Sequence, residues 1–167
     1  MTVRDIRLFG DPVLRSPCDP VRIGARGNAG LVEDLLDTVR LPGRAGVAAN
    51  QIGAGLRAFS WNVGGEVGYV LNPVLVETRG EPEPVEEGCL SVPGLGFPRA
   101  RHPWARVEGV DLDGRPVVLE GEGLMAQMLQ HECEHLDGHL YIEGLAGEVK
   151  REAMRSIRET DWYRAPR

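Results

Sequence analysis

Five consecutive residues, His131-Glu132-Cys133-Glu134-His135, set two imidazoles four positions apart. On a helix, at roughly 100° per residue, the two rings sit about 40° apart around the axis and can grip one metal ion from one face. Cys133 then points to the opposite side and is no ligand. Glu132, one step from His131, lies beside such an ion, where its carboxylate can take a proton from water. The pattern predicts metal-dependent hydrolysis with Glu132 as general base.

Catalytic sites of this kind keep three protein ligands and one open position, so a third donor must come from elsewhere. One peptidase pattern places a histidine six residues after the second, but Tyr141 stands there and His139 comes too early. A thermolysin-type glutamate could be Glu143, Glu148 or Glu152, although nothing around them marks a ligand. Cys89 is the better candidate. Glycine before its thiol and Pro93-Gly94 after it make a constrained loop able to aim sulfur at a buried ion, which would keep the thiol deprotonated. Two other readings compete: a zinc endopeptidase using the histidine pair with a downstream glutamate, and a non-catalytic metal or peptide binder.

These residues need elements to hold them. The main helix runs from about Gly123 through Asp137 and stops at Gly138, a residue free to adopt positive φ. An amphipathic helix is expected from about Ala29 to Arg40 with Asn28 as its cap, ended by Pro42-Gly43. A last helix, about Glu148 to Thr160, carries Val149, Ala153, Met154 and Ile157 at helical spacing. Runs from Leu56 to Val63 and Gly68 to Glu77, separated by Gly64-Gly65, predict an antiparallel hairpin in which Pro73 makes part of the second strand an edge. Further strands are expected around Trp104 to Leu112 and Pro116 to Glu120, joined by a tight turn at Asp113-Gly114. Residues 11–30 read as an irregular arm. Strands grouped before the main helices argue for an α+β fold, antiparallel strands around a central metal-binding helix with a C-terminal helix.

At 167 residues and 42% hydrophobic, the chain fits one globular catalytic domain, 1–167, that can bury a core without disulfides. Three cysteines give no disulfide framework and suit a reducing compartment, so a cytoplasmic location is expected. Charges interrupt the apolar N-terminal run, which argues against a secretory signal, and no apolar stretch reaches membrane-spanning length. A net charge of −6 gives no reason to propose sequence-specific nucleic-acid binding. The sign reverses locally after Glu148, where Lys150, Arg151, Arg155, Arg158, Arg164 and Arg167 outnumber the acids. That stretch reads first as a solvated helix face, and also as a segment that could dock on the ribosome.

Glu87-Gly88-Cys89-Leu90-Ser91, followed by Gln130-His131-Glu132 and His135 and preceded by Gly46-Val47-Ala48-Ala49-Asn50-Gln51, resembles the three signature motifs of the peptide deformylase family, in the family's order. The resemblance extends from Asp11-Pro12-Val13-Leu14-Arg15 to Gly138. It implies removal of the formyl group from the N-terminal formylmethionine of newly synthesised proteins, releasing formate. By that resemblance Cys89, His131 and His135 hold a divalent ion whose fourth ligand is water, and Glu132 takes that water's proton. Gln51, through its side-chain amide, and Leu90, through its backbone N–H, stabilise charge on the formyl oxygen. Ala45, Gly46 and Gly88 are implied to pair with the peptide backbone, and Val85, Leu124 and Met128 to receive the methionine side chain. The family implies Fe2+, while two histidines and a cysteine also accommodate Zn2+, Ni2+ or Co2+. Two departures stand out. Arg44 replaces a glycine at the start of the first motif, and Glu134 replaces an aspartate in the third. His102, His139, Cys18 and Cys133 match no motif and read as structural or surface residues.

Overall fold

The computed structural model describes residues 2–166; Met1 of the N-terminal run and Arg167 of the basic stretch lie outside them. The elements follow in the order α1 (Asn28–Val39), β1 (Gly46–Ala48), β2 (Ala58–Val63), β3 (Glu66–Arg79), β4 (Glu83–Cys89), β5 (Val92–Arg101), β6 (Trp104–Val110), β7 (Pro116–Glu122), α2 (Gly123–Leu136), α3 (Gly147–Glu159) and α4 (Asp161–Arg164). Short 3-10 turns occupy Pro12–Arg15, Ala49–Ile52 and Tyr141–Gly144.

Five strands form one antiparallel sheet in the order β1-β2-β3-β6-β7, and β4 and β5 form a separate two-stranded ribbon. The α+β expectation holds. Gly64 and Gly65 both take positive φ and close the β2–β3 hairpin with Val63 opposite Glu66. Pro73 falls in a register shift between Leu71 and Val74, beyond which β3 pairs only with β6, so the expected edge character is present.

Three expectations need correction. The β6–β7 connection is a five-residue loop, because the Asp111 carboxylate accepts the N–H groups of Asp113 and Arg115 and makes a wider turn than Asp113-Gly114 alone. Asn28 is the first residue of α1 and not its cap: Gly27 holds the cap position at φ 97°, and Asn28 donates its amide to the Arg22 carbonyl. Residues 86–94, read as a constrained loop around Cys89, fall mostly in the strands β4 and β5, with Cys89 closing the first and only Leu90 and Ser91 left as the turn between them.

One face of the five-stranded sheet carries α2, through Phe59, Val70, Val107, Met128, Leu129 and Leu136. The other carries α1, through Val32, Leu35, Val39, Val47 and Leu71. A third cluster, built from Val92, Phe97, Tyr141, Ile142, Ala153 and Ile157, fixes α3 against β5. Gly138, at φ 86°, ends α2 where a Cβ would meet the Arg15 carbonyl oxygen at 2.9 Å, so the expected stop also seats the N-terminal arm.

Candidate active site

The central helix α2 presents His131 and His135 inward, both buried, with their Nε2 atoms 3.1 Å apart. Strand β4 ends beside them, and the Cys89 Sγ lies 3.3 Å from His135 Nε2. All three donor atoms fall within 4.8 Å of one another. Around a tetrahedral ion with ordinary Zn–N and Zn–S bond lengths, such donors stand about 3.3–3.6 Å apart. The residues therefore fit a small divalent cation.

Electrostatics agrees with that fit. Burial opposes charge on both rings; for His131, contacts with Cys89 and Glu87 outweigh it and raise the pKa, whereas for His135 burial and the neighbouring His131 act together and lower it. His131 Nδ1 is 2.9 Å from the Glu87 carboxylate, which leaves Nε2 as the free electron pair facing the cluster.

Glu132 is buried, and its Oε2 has no hydrogen-bond partner among the described residues. Burial pushes its pKa up to about 7, which suits a group that must take and return protons near neutral pH. Its carboxylate lies against Gly46, where a Cβ would stand 2.5 Å from Oε1. Gln51 is set by the 3-10 turn: its Oε1 accepts the Ala48 N–H at 3.0 Å, and its Nε2 donates to Ser91 Oγ at 3.1 Å while lying 3.6 Å from Cys89 Sγ. Leu90 sits in the turn joining β4 to β5, between Cys89 and Ser91.

A cleft of about 840 Å³ opens over this cluster. Ala45, Gly46, Gly88, Leu90, Leu124 and Met128 line it, with Met128 buried and Leu124 half exposed. Val85 does not; it lies farther along β4, opposite Arg99. Ala45 turns its carbonyl to Asn62 of β2 at 2.8 Å, so the backbone groups of Gly46, one step on, face the cleft. Arg44 also lines the cleft, and Glu134 lies behind the site, not in it.

Several residues that hold the site carried no signal in the sequence. Arg101, 4% exposed on β5, bonds both Glu87 oxygens at 2.9 and 2.6 Å and both Glu134 oxygens at 2.6 and 3.0 Å. Arg99 adds a 2.9 Å contact to Glu134. The two arginines tie the ribbon to α2, and hydrogen bonds from His131 and Arg101 overcome the cost of burial to hold Glu87 down at about 2. Asn50 Nδ2 donates to the His135 carbonyl at 2.6 Å and pins the helix from the other side. Gln130 grips the His102 backbone, N–H to Oε1 and Nε2 to carbonyl, both at 3.0 Å. The alternative third ligands lie elsewhere: Glu143 is exposed and pairs with His139, Glu148 faces Arg151 at 3.6 Å, and Glu152 is exposed. Cys18 and Cys133 are buried thiols, pushed by burial to about 11 and about 12.

Residues 3–151 match the family model for polypeptide deformylase. The chain belongs to the polypeptide deformylase family. Among curated deformylases it is 48% identical to that of a Parafrankia species, covering 100% of this chain and 92% of that protein. It is 45% identical to that of Mycolicibacterium paratuberculosis, covering 97% and 91%. Among solved structures, the Legionella pneumophila deformylase superposes with a TM-score of 0.88 at 32% identity over 99% of each chain. The Thermus thermophilus deformylase gives 0.85 at 40% identity over 94% of each. As a deformylase the protein is a metal-dependent hydrolase that removes the formyl group from newly made proteins. No helix among its described residues is long and apolar enough to cross a membrane.

Proposed function

We propose that residues 1–167 act as one catalytic domain in which Cys89, His131 and His135 hold a single divalent ion, natively Fe2+, and Glu132 moves the protons of deformylation. The observation that carries this reading is the convergence of one sulfur and two Nε2 atoms, at 3.3 and 3.1 Å, beside a buried carboxylate. Such an ion supplies Lewis acidity and lowers the pKa of water, so a nucleophile is available near neutral pH.

Glu132 accepts a proton as water oxygen adds to the formyl carbon. Negative charge then gathers on the formyl oxygen, where the Gln51 Nε2 hydrogen that points toward Cys89 and the Leu90 N–H can donate. When the carbon–nitrogen bond breaks, Glu132 returns the proton to the amine, which leaves neutral, and the second product is formic acid, which gives its remaining proton to solvent and departs as formate. Gly46 of β1 and Gly88 of β4, both lining the cleft, give the peptide backbone two partners, and Met128 and Leu124 offer an apolar wall for the methionine. The endopeptidase reading loses its support, since none of its glutamates approaches the histidine pair.

Formate release from a formyl-Met peptide, measured with metal analysis on the same sample, tests this. Cys89→Ser is expected to lose most activity or metal; unchanged turnover would overturn the sulfur's role. Anaerobically loaded iron protein is expected to exceed zinc protein at equal occupancy, and equal activity would refute the iron assignment. The chemistry of newly made proteins also favours a cytoplasmic location, and the basic outer face of α3 favours docking on the ribosome.

A further inference from the structure

Arg44 stands where the family resemblance leads one to expect glycine, and its surroundings give it a use. Strand β1 is one edge of the five-stranded sheet, paired only to β2. Since the Ala45 carbonyl points to β2, the free backbone groups on the cleft side belong to Gly46; the chain bends at Ala45, and Arg44, just before the strand, lines the same cleft. Gly46 touches Glu132 and so marks the reacting end. Arg44 stands two residues before Gly46, outside the strand, so its Cα lies within about 7 Å of that of Gly46.

Its guanidinium is a cation without an anion. It makes no ion pair among the described residues, and one hydrogen bond, at 3.0 Å to the Thr38 carbonyl at the end of α1, orients it. A guanidinium carries five N–H donors, so four are left for an incoming group. Partial burial lowers its pKa from the ordinary arginine value. The other charges around the cleft are differently placed. Arg4 is bound to Asp34 at 2.8 Å, Asp5 lies on the exposed N-terminal segment, and Glu86 on the opposite lip lies over Gly96, where a Cβ would stand 2.8 Å from its Oε1.

We propose that Arg44 is a specificity-determining residue that favours formylated chains with an acidic side chain at the first or second residue after methionine. This rests on the reading above, in which the peptide runs outward from Glu132 along Gly46. A carboxylate on the substrate there meets a fixed, unpaired guanidinium in a partly desolvated cleft, whereas a lysine meets a like charge.

The test compares kcat/KM for formyl-Met peptides that carry Asp, Ala or Lys at the second or third residue, in wild-type protein, Arg44→Gly and Arg44→Lys. Metal content is measured in each sample. Wild-type protein is expected to favour Asp over Lys by about threefold to tenfold at low salt, with the ratio shrinking at high ionic strength. Arg44→Gly, which restores the family's residue, is expected to bring the ratio near one, and Arg44→Lys to retain part of it. A wild-type ratio within twofold of unity, or one that survives Arg44→Gly, overturns the proposal while leaving deformylation standing. Failure of the wild-type protein to hydrolyse the neutral Ala peptide would sink the underlying reading and this one with it.

Discussion

Glu132 holds its charge in a place where charge is costly, and that tension has a measurable consequence. In the metal-free protein burial raises its pKa to about 7, so folded protein retains a proton that unfolded protein gives up near the ordinary glutamate value. The stability associated with that proton is fully present at acid pH and is lost as pH rises through about 7. Glu132→Gln removes the titration. In the presence of a chelator the variant is expected to melt higher than wild type above pH 7, with the gap closing below about pH 4.5 as the wild-type carboxyl protonates. The same change should cut formate release by about a hundredfold to ten-thousandfold, the usual worth of a positioned acid–base group. Equal melting curves at pH 8 would mean that the carboxylate is better solvated than its burial indicates. Gly46 belongs to the same scale: a methyl group there would collide with the Glu132 carboxylate, so Gly46→Ala is expected to lower kcat more than it raises KM.

Among the elements, the β4–β5 ribbon was the hardest to see. Its sequence is crowded with Pro, Gly and Glu, and it pairs only with itself, so neither apolar alternation nor a continuous apolar run marks it. Yet it carries both the sulfur and the cation that steadies the metal helix. Arg101 joins Glu87, and through it His131, to Glu134 on the next turn of α2. Glu134, where the resemblance leads one to expect aspartate, meets Arg101 with both oxygens and Arg99 with one. Replacing Arg101 by Met takes the arginine from the deeply buried Glu87 and leaves Glu134 to Arg99. Removing one partner of such a pair costs about 3–5 kcal/mol, and loss of a histidine's outer partner weakens metal binding about 10–100-fold. Arg101→Met is therefore expected to lower both the melting temperature and the metal affinity read by chelator competition. A variant that melts lower but binds metal as tightly as wild type would show that the arginine supports the fold alone.

At the scale of the whole molecule, the C-terminal segment serves the fold and faces outward at once. Ala153 and Ile157 of α3 are fully buried, and Trp162 donates its indole N–H to the Pro93 carbonyl at the lip of the cleft. Deleting everything after Gly147 would open the third core cluster, so truncation is a poor probe of docking. Arg151, Arg155 and Arg158 are exposed on the same helix, and changing them to Glu leaves the buried face alone. If the basic face meets the ribosome, this triple change is expected to weaken cosedimentation, most strongly at low salt, with turnover of short peptides preserved. Cosedimentation that does not change would remove the docking reading.

What the sequence determined by itself was chemistry of short range. The spacing of His131 and His135 fixes a shared helical face, Gly64-Gly65 fixes a hairpin, and Gly138 fixes a helix end, because each depends on local backbone geometry. The third donor was legible as a candidate in the glycine-flanked loop around Cys89, and the full ligand set came from that motif's resemblance to a family. Tertiary structure alone decided which outer groups hold the donors. Arg101 and Asn50 act from other elements, at sequence separations of 14 residues from Glu87 and 85 from His135, and no local pattern encodes such a meeting. It also decided the place of Arg44, a departure in sequence that becomes a cation beside the cleft, without an ion pair among the described residues, only once β1 lies at a sheet edge and the Thr38 carbonyl in the last turn of α1 takes its hydrogen bond. Buried charge must be compensated by whatever the fold brings near, and that partner can come from any point along the chain.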